Sequence, residues 1–251
     1  MKALITGASS GMGLEFAKIL SQEGHETFLV ALDEDGLKKA QEMLPNKSTT
    51  MAKDLSKDAD LKSVCELIKK ERIDILINNA GFADYNEFHK ADLDRDLNMI
   101  NVNVRAVHVL AKYALQEMVK RDKGFILNVA SSAGLMPGGP MMATYYATKA
   151  YVRSLSESIN HEMRMKNRNV VVSVLCPGPV DTNFNKTGKV QFSIKQMTPD
   201  RVAKYAIKQM MEKRKMLIIP GVKMKLAKFA TRFLSDKTVI KMTRGIQSRG
   251  K

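Results

Sequence analysis

The chain of 251 residues has little cysteine: Cys65 and Cys176 are far apart, with no C-x-x-C and no histidine beside them. Neither a disulfide framework nor a zinc site is expected, and a reducing compartment fits. Long apolar runs are missing too, since none nears the ~18 residues of a membrane span. The four histidines, His25, His89, His108 and His161, show no ligand spacing and no pairing with a nucleophile, so no metal is expected. Acid is scarce at one end only. Residues 201–251 hold 15 Lys+Arg against 2 Asp+Glu, so most of the net charge of +15 sits there. Such a bias marks an acidic partner, an anionic membrane or nucleic acid. No base-stacking motif or nucleic-acid module accompanies it, so nucleic acid is not expected.

What is present is an ordinary globular balance, 44% hydrophobic and 27% charged, in a chain long enough to bury a core. The N-terminus enters an apolar strand and a glycine turn at once. That leads us to expect no signal or transit peptide and a cytoplasmic location. Short β-leaning runs at 3–5, 27–32, 49–52, 73–77, 125–129, 170–175 and 216–219 alternate with stretches of helical period at 13–23, 36–43, 59–70, 92–121, 145–166 and 198–213. This alternation predicts α/β architecture: a doubly wound parallel sheet, Rossmann-type, of about seven strands with helices on both faces. No repeat or linker divides the chain, so a single domain over 1–251 is expected. In such sheets ligands bind beyond the carboxyl ends of the strands, where strand order reverses.

The first of those ends reads Thr6-Gly7-Ala8-Ser9-Ser10-Gly11-Met12-Gly13. Glycines allow a tight turn and a close approach, and the N-terminus of the following helix favours a pyrophosphate. The spacing is G-x-x-x-G-x-G. Later come Asp54-Leu55 after the third strand, Asn78-Asn79-Ala80-Gly81 after the fourth, and Pro177-Gly178-Pro179-Val180-Asp181-Thr182 after the sixth. Together, and in this order, they resemble the classical short-chain dehydrogenase/reductase family over roughly residues 1–220. The resemblance implies an NAD(P)-dependent oxidoreductase acting on a small carbonyl or alcohol, assembled as a homo-oligomer, dimer or tetramer. It assigns Gly7, Ser9, Ser10, Gly11, Met12 and Gly13 to the cofactor phosphates, Asp54 and Leu55 to the adenine end, and Asn79, Ala80 and Gly81 to the cofactor wall. Pro177, Gly178, Val180 and Thr182 fall to the nicotinamide.

The choice between NAD and NADP hangs on the end of the second strand, Leu29-Val30-Ala31-Leu32-Asp33-Glu34-Asp35. Ala31 stands where NAD-selective members often carry Asp, and Leu32 where many NADP-selective members carry Arg. Three carboxylates follow and would repel a 2′-phosphate, so NAD is favoured, with Asp33 as its carrier. The same acids suit a solvated helix start.

Tyr145 and Lys149, four apart, fall on one helix face. A free phenol titrates near ~10, too high for a base at neutral pH, and a lysine ammonium beside it would lower that value. Tyr145 can then exchange a proton with a substrate oxygen, and the pair matches the family's Y-x-x-x-K. Of the adjacent serines, the family register selects Ser131 to hold the substrate oxygen, with Ser132 as the alternative if the loop before Tyr145 carries no insertion. Asn103 matches the family's catalytic asparagine, which holds a kink and a water that links the lysine to solvent; Asn101 is the fallback. Residues 183–198 correspond to the variable substrate loop. Met136, Met141 and Met142 suit an adaptable apolar pocket or a packed core.

From about 221 to 251 the chain is basic and amphipathic, with Leu226, Phe229, Ala230, Phe233 and Leu234 in one stripe among Lys223, Lys225, Lys228 and Arg232. The plainest expectation is a helix packed on its own domain. The others are a pocket cover, a subunit contact and a peripheral contact with an anionic membrane. Two functions compete with the enzyme: a cofactor-binding regulatory protein without turnover, and a membrane-surface adaptor using this segment.

Overall fold

The computed structural model describes residues 1–184, 188 and 190–249, with Ser248 and Arg249 described by their backbone alone. Asn185, Lys186, Thr187 and Lys189 of the expected substrate loop, and Gly250 and Lys251 of the basic segment, lie outside the described residues.

Seven strands form one parallel sheet: β1 (Lys2–Thr6), β2 (Glu26–Ala31), β3 (Ser48–Ala52), β4 (Ile75–Asn78), β5 (Gly124–Val129), β6 (Val170–Leu175) and β8 (Leu217–Ile218). Their order is β3-β2-β1-β4-β5-β6-β8, and Ile5 pairs with Leu29 on one side and Ile77 on the other. Both faces of the sheet are covered, which is why β4 and β6 are buried at every position. On one face, Ile5, Leu29, Ile77 and Leu127 pack under α1 (Gly11–Gln22), α2 (Glu34–Glu42) and α7 (Pro199–Met211). On the other, Leu4, Phe28, Leu76 and Ile126 pack under α3 (Asp58–Glu71), α5 (Val107–Arg121) and α6 (Ala143–Met165). The expected doubly wound architecture is what the chain forms.

The structure differs from the sequence expectation in four places. The strand expected from Ile73 starts at Ile75, because Arg72 takes a left-handed conformation (φ 53°) and Ile73 still donates to the Ile68 carbonyl, closing α3. The helix expected over 92–121 is broken: α4 (Leu93–Ile100) passes through a π-helical turn, Asn101–Ala106, before α5 begins. Such a turn inserts an extra residue into the helix and redirects a side chain. A further strand, β7 (Val190–Phe192), pairs antiparallel with a C-terminal strand, β9 (Gln247–Arg249). Finally, the basic stripe does not pack on the domain. No residue of α8 (Val222–Ala230) is buried; α9 (Asp236–Ile246) follows and docks through Val239 and Thr243.

The contrast between the sheet and α8 gives a stability test. Leu76 is fully buried whereas Leu226 is 62% exposed. Leu76→Ala should cost about 3 kcal/mol, and Leu226→Ala less than about 0.5 kcal/mol. Denaturant midpoints measure both, and a large loss at Leu226 would show that this face of α8 is packed.

Candidate active site

The sheet order reverses between β1 and β4, and a cleft of about 440 Å³ opens at their carboxyl ends. Its floor is the turn between β1 and α1. Gly7 and Gly11 have φ of 65° and 55°, the left-handed region that favours glycine. A methyl group at Gly13 would overlap the Gly7 carbonyl oxygen, and one at Gly7 would meet the Asn79 amide nitrogen at 2.9 Å. Ser10 precedes α1 without a side-chain capping bond, and the first turn of the helix has no acid. Its N–H groups therefore suit an anion. This bare backbone cradle fits a dinucleotide pyrophosphate, and the residues present accommodate NAD or NADP.

Hydrogen bonds hold the far side of the cleft to this turn. The Thr6 hydroxyl accepts from the N–H groups of Asn79 and Ala80, each at 3.0 Å, and the Asn79 amide donates to the Thr6 carbonyl at 3.0 Å. Asn78 is buried beneath and donates to the Asn128 side chain at 2.8 Å, which ties the ends of β4 and β5 together. At the end of β2, Asp33 reaches the cleft and also caps α2 by accepting from the Gly36 N–H at 3.0 Å. The helix-start reading of this acid is what the structure shows, and its place on the cleft wall leaves it open to a ligand there. Lys53, also on the cleft wall, is paired with Asp60 at 3.0 Å. Asp54 accepts from the N–H and hydroxyl of Ser56 at 3.0 and 2.7 Å, and Leu55 beside it is buried.

At the opposite end of the cleft the Ser131 hydroxyl lies beside the Tyr145 phenol and favours its ionised form. It also accepts from the Ala133 N–H at 3.1 Å, while the Ser132 N–H is spent on the Pro177 carbonyl. Tyr145 and Lys149 are both buried on α6. The Lys149 Nζ lies 5.8 Å from the Tyr145 ring centre and donates to the Val129 carbonyl at 2.9 Å. Here burial outweighs the expected pairing. Burial drives the Tyr145 phenol well above its usual value, opposed by the nearby Ser131 hydroxyl, and burial also lowers Lys149 to about 8. Desolvation disfavours both charged forms, so this end of the cleft favours a neutral phenol.

Asn103 is fully buried within the π-helical turn. Its carbonyl oxygen accepts from the Phe82 N–H at 3.0 Å and its amide donates to the Phe82 carbonyl at 2.8 Å. The amide also donates to the Thr148 hydroxyl at 3.2 Å, one residue before Lys149. Asn101 lies in the same turn, half-buried. Of the expected site residues, all but Gly13 and Asn103 line the cleft directly; these two stand behind its glycines.

The cleft also recruits residues that the sequence reading gave no role. Phe82, Asn98, Val102 and Tyr146 line it with Met142, Phe184 and Phe192, and the Phe184 ring is 5.6 Å from that of Tyr145. Gln247 reaches it from the far end of the chain: its side chain accepts from the Tyr146 hydroxyl at 3.2 Å and donates to the Pro140 carbonyl at 2.8 Å. The strand pairing of β7 with β9 and the docking of α9 through Thr243 bring it there, and no local motif announces that pairing. Among the described residues no cluster could hold a metal ion, and no helix is long and apolar enough to cross a membrane.

Comparison with known proteins adds an independent line. The profile of the short chain dehydrogenase family matches residues 1–191. The chain is 34% identical over 210 residues to an uncharacterized oxidoreductase of Staphylococcus saprophyticus, covering 82% of this chain and 83% of that one. It is 31% identical to very-long-chain 3-oxoacyl-CoA reductase-B of Danio rerio, covering 80% of this chain and 66% of the relative. It thus spans about two thirds of that reductase. A short-chain dehydrogenase from Sphingobium yanoikuyae, solved in complex with NADPH, superposes with a TM-score of 0.82 at 28% identity, covering 92% of this chain and 94% of that one.

Lys149 gives the site a pH signature. Its ammonium titrates at about 8 in the fold against 10.5 unperturbed. Between those values the unfolded chain binds the proton and the fold does not, so stability rises with pH. Below the lower value the buried charge weighs fully against folding. In cofactor-free protein, the urea midpoint of the wild type should gain on that of Lys149→Met between about pH 7.5 and pH 10. A constant gap would mean that Lys149 titrates as an ordinary lysine.

Proposed function

The chain belongs to the short-chain dehydrogenase/reductase family, and from that premise we propose that Tyr145 passes a proton to or from the oxygen of its substrate. The protein is an NAD(P)-dependent oxidoreductase. The bound nicotinamide supplies or accepts the hydride. The observation that carries the residue assignment is the buried phenol of Tyr145, with the Ser131 hydroxyl beside it and Lys149 flanking it in the same cleft.

In the reducing direction a carbonyl oxygen gains negative charge and needs a donor beside it. Ser131 offers its hydroxyl, a dipole aimed at the developing charge. Tyr145, kept neutral by burial, gives up its proton as that charge grows. In the oxidising direction Tyr145 must receive the alcohol proton, and an ammonium on Lys149 stabilises the phenolate that this requires. Asn103 acts as a positioning residue, since its two bonds to Phe82 fix the wall opposite Tyr145. The glycine turn with Ser9, Ser10 and Met12 binds the pyrophosphate, Asp54 and Leu55 flank the adenine, and Asn79–Gly81 with Pro177, Gly178, Val180 and Thr182 enclose the rest of the cofactor.

The substrate side is mainly apolar, with Phe82, Met142, Phe184 and Phe192, and carries the polar side chains of Asn98, Asn183, Tyr146 and Gln247. That lining suits a carbonyl or secondary alcohol on an apolar body. The 3-oxoacyl thioesters named for the Danio rerio relative are the first compounds to try. On the family resemblance and the low cysteine content, we take the protein to be a cytoplasmic homo-oligomer. Tyr145→Phe should lower turnover at least about 100-fold, with cofactor affinity within about twofold by titration. Turnover near the wild-type rate would mean that another group moves the proton.

We also propose that NAD(H) is preferred. Asp33 stands on the cleft wall and, among the described residues, makes no ion pair: Lys38 is paired with Glu34 and Lys53 with Asp60, each at 3.0 Å. A 2′-phosphate would bring roughly −1.5 to −2 charge toward this carboxylate. Competitive titration should show Asp33→Asn gaining several-fold for NADP(H) relative to NAD(H). Tighter NADP(H) binding by the unmodified protein would overturn the preference.

A further inference from the structure

The amphipathic stripe of the C-terminal segment stands outside the fold. Val222, Leu226, Phe229 and Phe233 are 70, 62, 56 and 75% exposed. At 100° per residue they fall in one narrow arc, and backbone bonds from Thr231, Arg232 and Phe233 to Ala227, Phe229 and Ala230 carry the turn on to Phe233. The Phe229 and Phe233 rings stand together, 5.3 Å apart and edge to face. The opposite side of α8 is what anchors it. Met224 packs into the cluster around Val174 and Ile219 and lies against Gly178 on the cleft wall. Lys225 folds back to the Tyr205 hydroxyl at 3.2 Å, and Lys228 is half-buried beside Arg153 and Glu157. The apolar ridge is therefore held facing outward.

Charge selects what covers it. Residues 222–246 hold seven Lys and Arg, with Asp236 the lone acid. Lys223 and Arg232 are exposed beside the ridge, and Lys237, Lys241 and Arg244 are exposed on α9. A second copy of the same surface would bring like charges together, and four side chains fall short of the ~800 Å² per partner of a stable interface. A folded acidic protein would need a groove complementary to the ridge. A bilayer with anionic headgroups supplies phosphate for the cations and an acyl boundary for the ridge at once.

We infer that residues 222–233 form a docking surface that seats the protein on anionic lipid, with Leu226, Phe229 and Phe233 entering the acyl boundary. Met224 reaches Gly178 from the same helix, so the seated surface lies beside the wall of the cleft.

The test uses the full chain and vesicles of phosphatidylcholine, alone or mixed with phosphatidylglycerol. The chain has no tryptophan, so the substitution Phe233→Trp reports on the ridge without background. The expected result is at least about tenfold tighter cosedimentation with the mixed vesicles than with phosphatidylcholine, a blue shift of the introduced indole's emission on binding, and weakening at high salt. Leu226→Glu/Phe229→Glu/Phe233→Glu should abolish binding with an unchanged melting temperature. Four results would overturn the inference: no binding to mixed vesicles, binding without a blue shift, binding undiminished in the triple variant, or a wild-type dimer that the triple variant converts to monomer. Comparable binding to an RNA fragment, lost in the triple variant, would assign the surface to nucleic acid and overturn it as well.

Discussion

The cleft depends on one constraint: β1 and β4 lie side by side, yet the chain leaves them toward opposite faces of the sheet. From β1 it turns into α1 on one face, and from β4 it runs on to α5 on the other. The two exits diverge and leave the gap that forms the cleft. Thr6 sets its depth, since its hydroxyl and carbonyl together take three hydrogen bonds from Asn79 and Ala80. With the two backbones this close, Gly7 has no room for a side chain against Asn79 and Ala80, and the Gly7 carbonyl of the same turn leaves none at Gly13. The bare backbone that suits a pyrophosphate thus follows from the β1–β4 stitching and the tightness of the turn together.

The chemical end is governed by burial more than by pairing. Tyr145 and Lys149 are enclosed by α6, by the π-helical turn and by the loop carrying Phe184. Enclosure disfavours charge on either group. A neutral phenol beside the Ser131 hydroxyl is a proton donor in waiting. Asn103 contributes at one remove: the extra residue of its turn aims its amide at the backbone of Phe82 and at Thr148. The wall beside Gly81 and the helix that bears Lys149 are fixed by the same side chain.

Much of this was legible in the sequence because it is local. Glycine spacing, Asn78–Gly81 and the four-residue step from Tyr145 to Lys149 each lie within one turn or one helical repeat. Strand alternation with helical runs predicted the sheet. What was not legible depends on distance. Gln247 enters the cleft through a pairing with β7 that no nearby residue encodes. The break at Asn101–Ala106 leaves the apolar period intact, so the stretch reads as one helix. The same period marks Leu226, Phe229 and Phe233 as a face without saying what covers it, and the fold leaves it to solvent. Helical spacing placed Tyr145 and Lys149 on one side of α6 but could not weigh the cost of burying them.

This cleft is built for turnover and not for cofactor storage. The most direct measurement is the loss of reduced-nicotinamide absorbance when the protein is offered NADH or NADPH with a panel of ketones, aldehydes and 3-oxoacyl thioesters. The account predicts consumption proportional to protein with at least one carbonyl, and its loss on Ser131→Ala but not on Ser132→Ala. Tight cofactor binding with no consumption across the panel would contradict it.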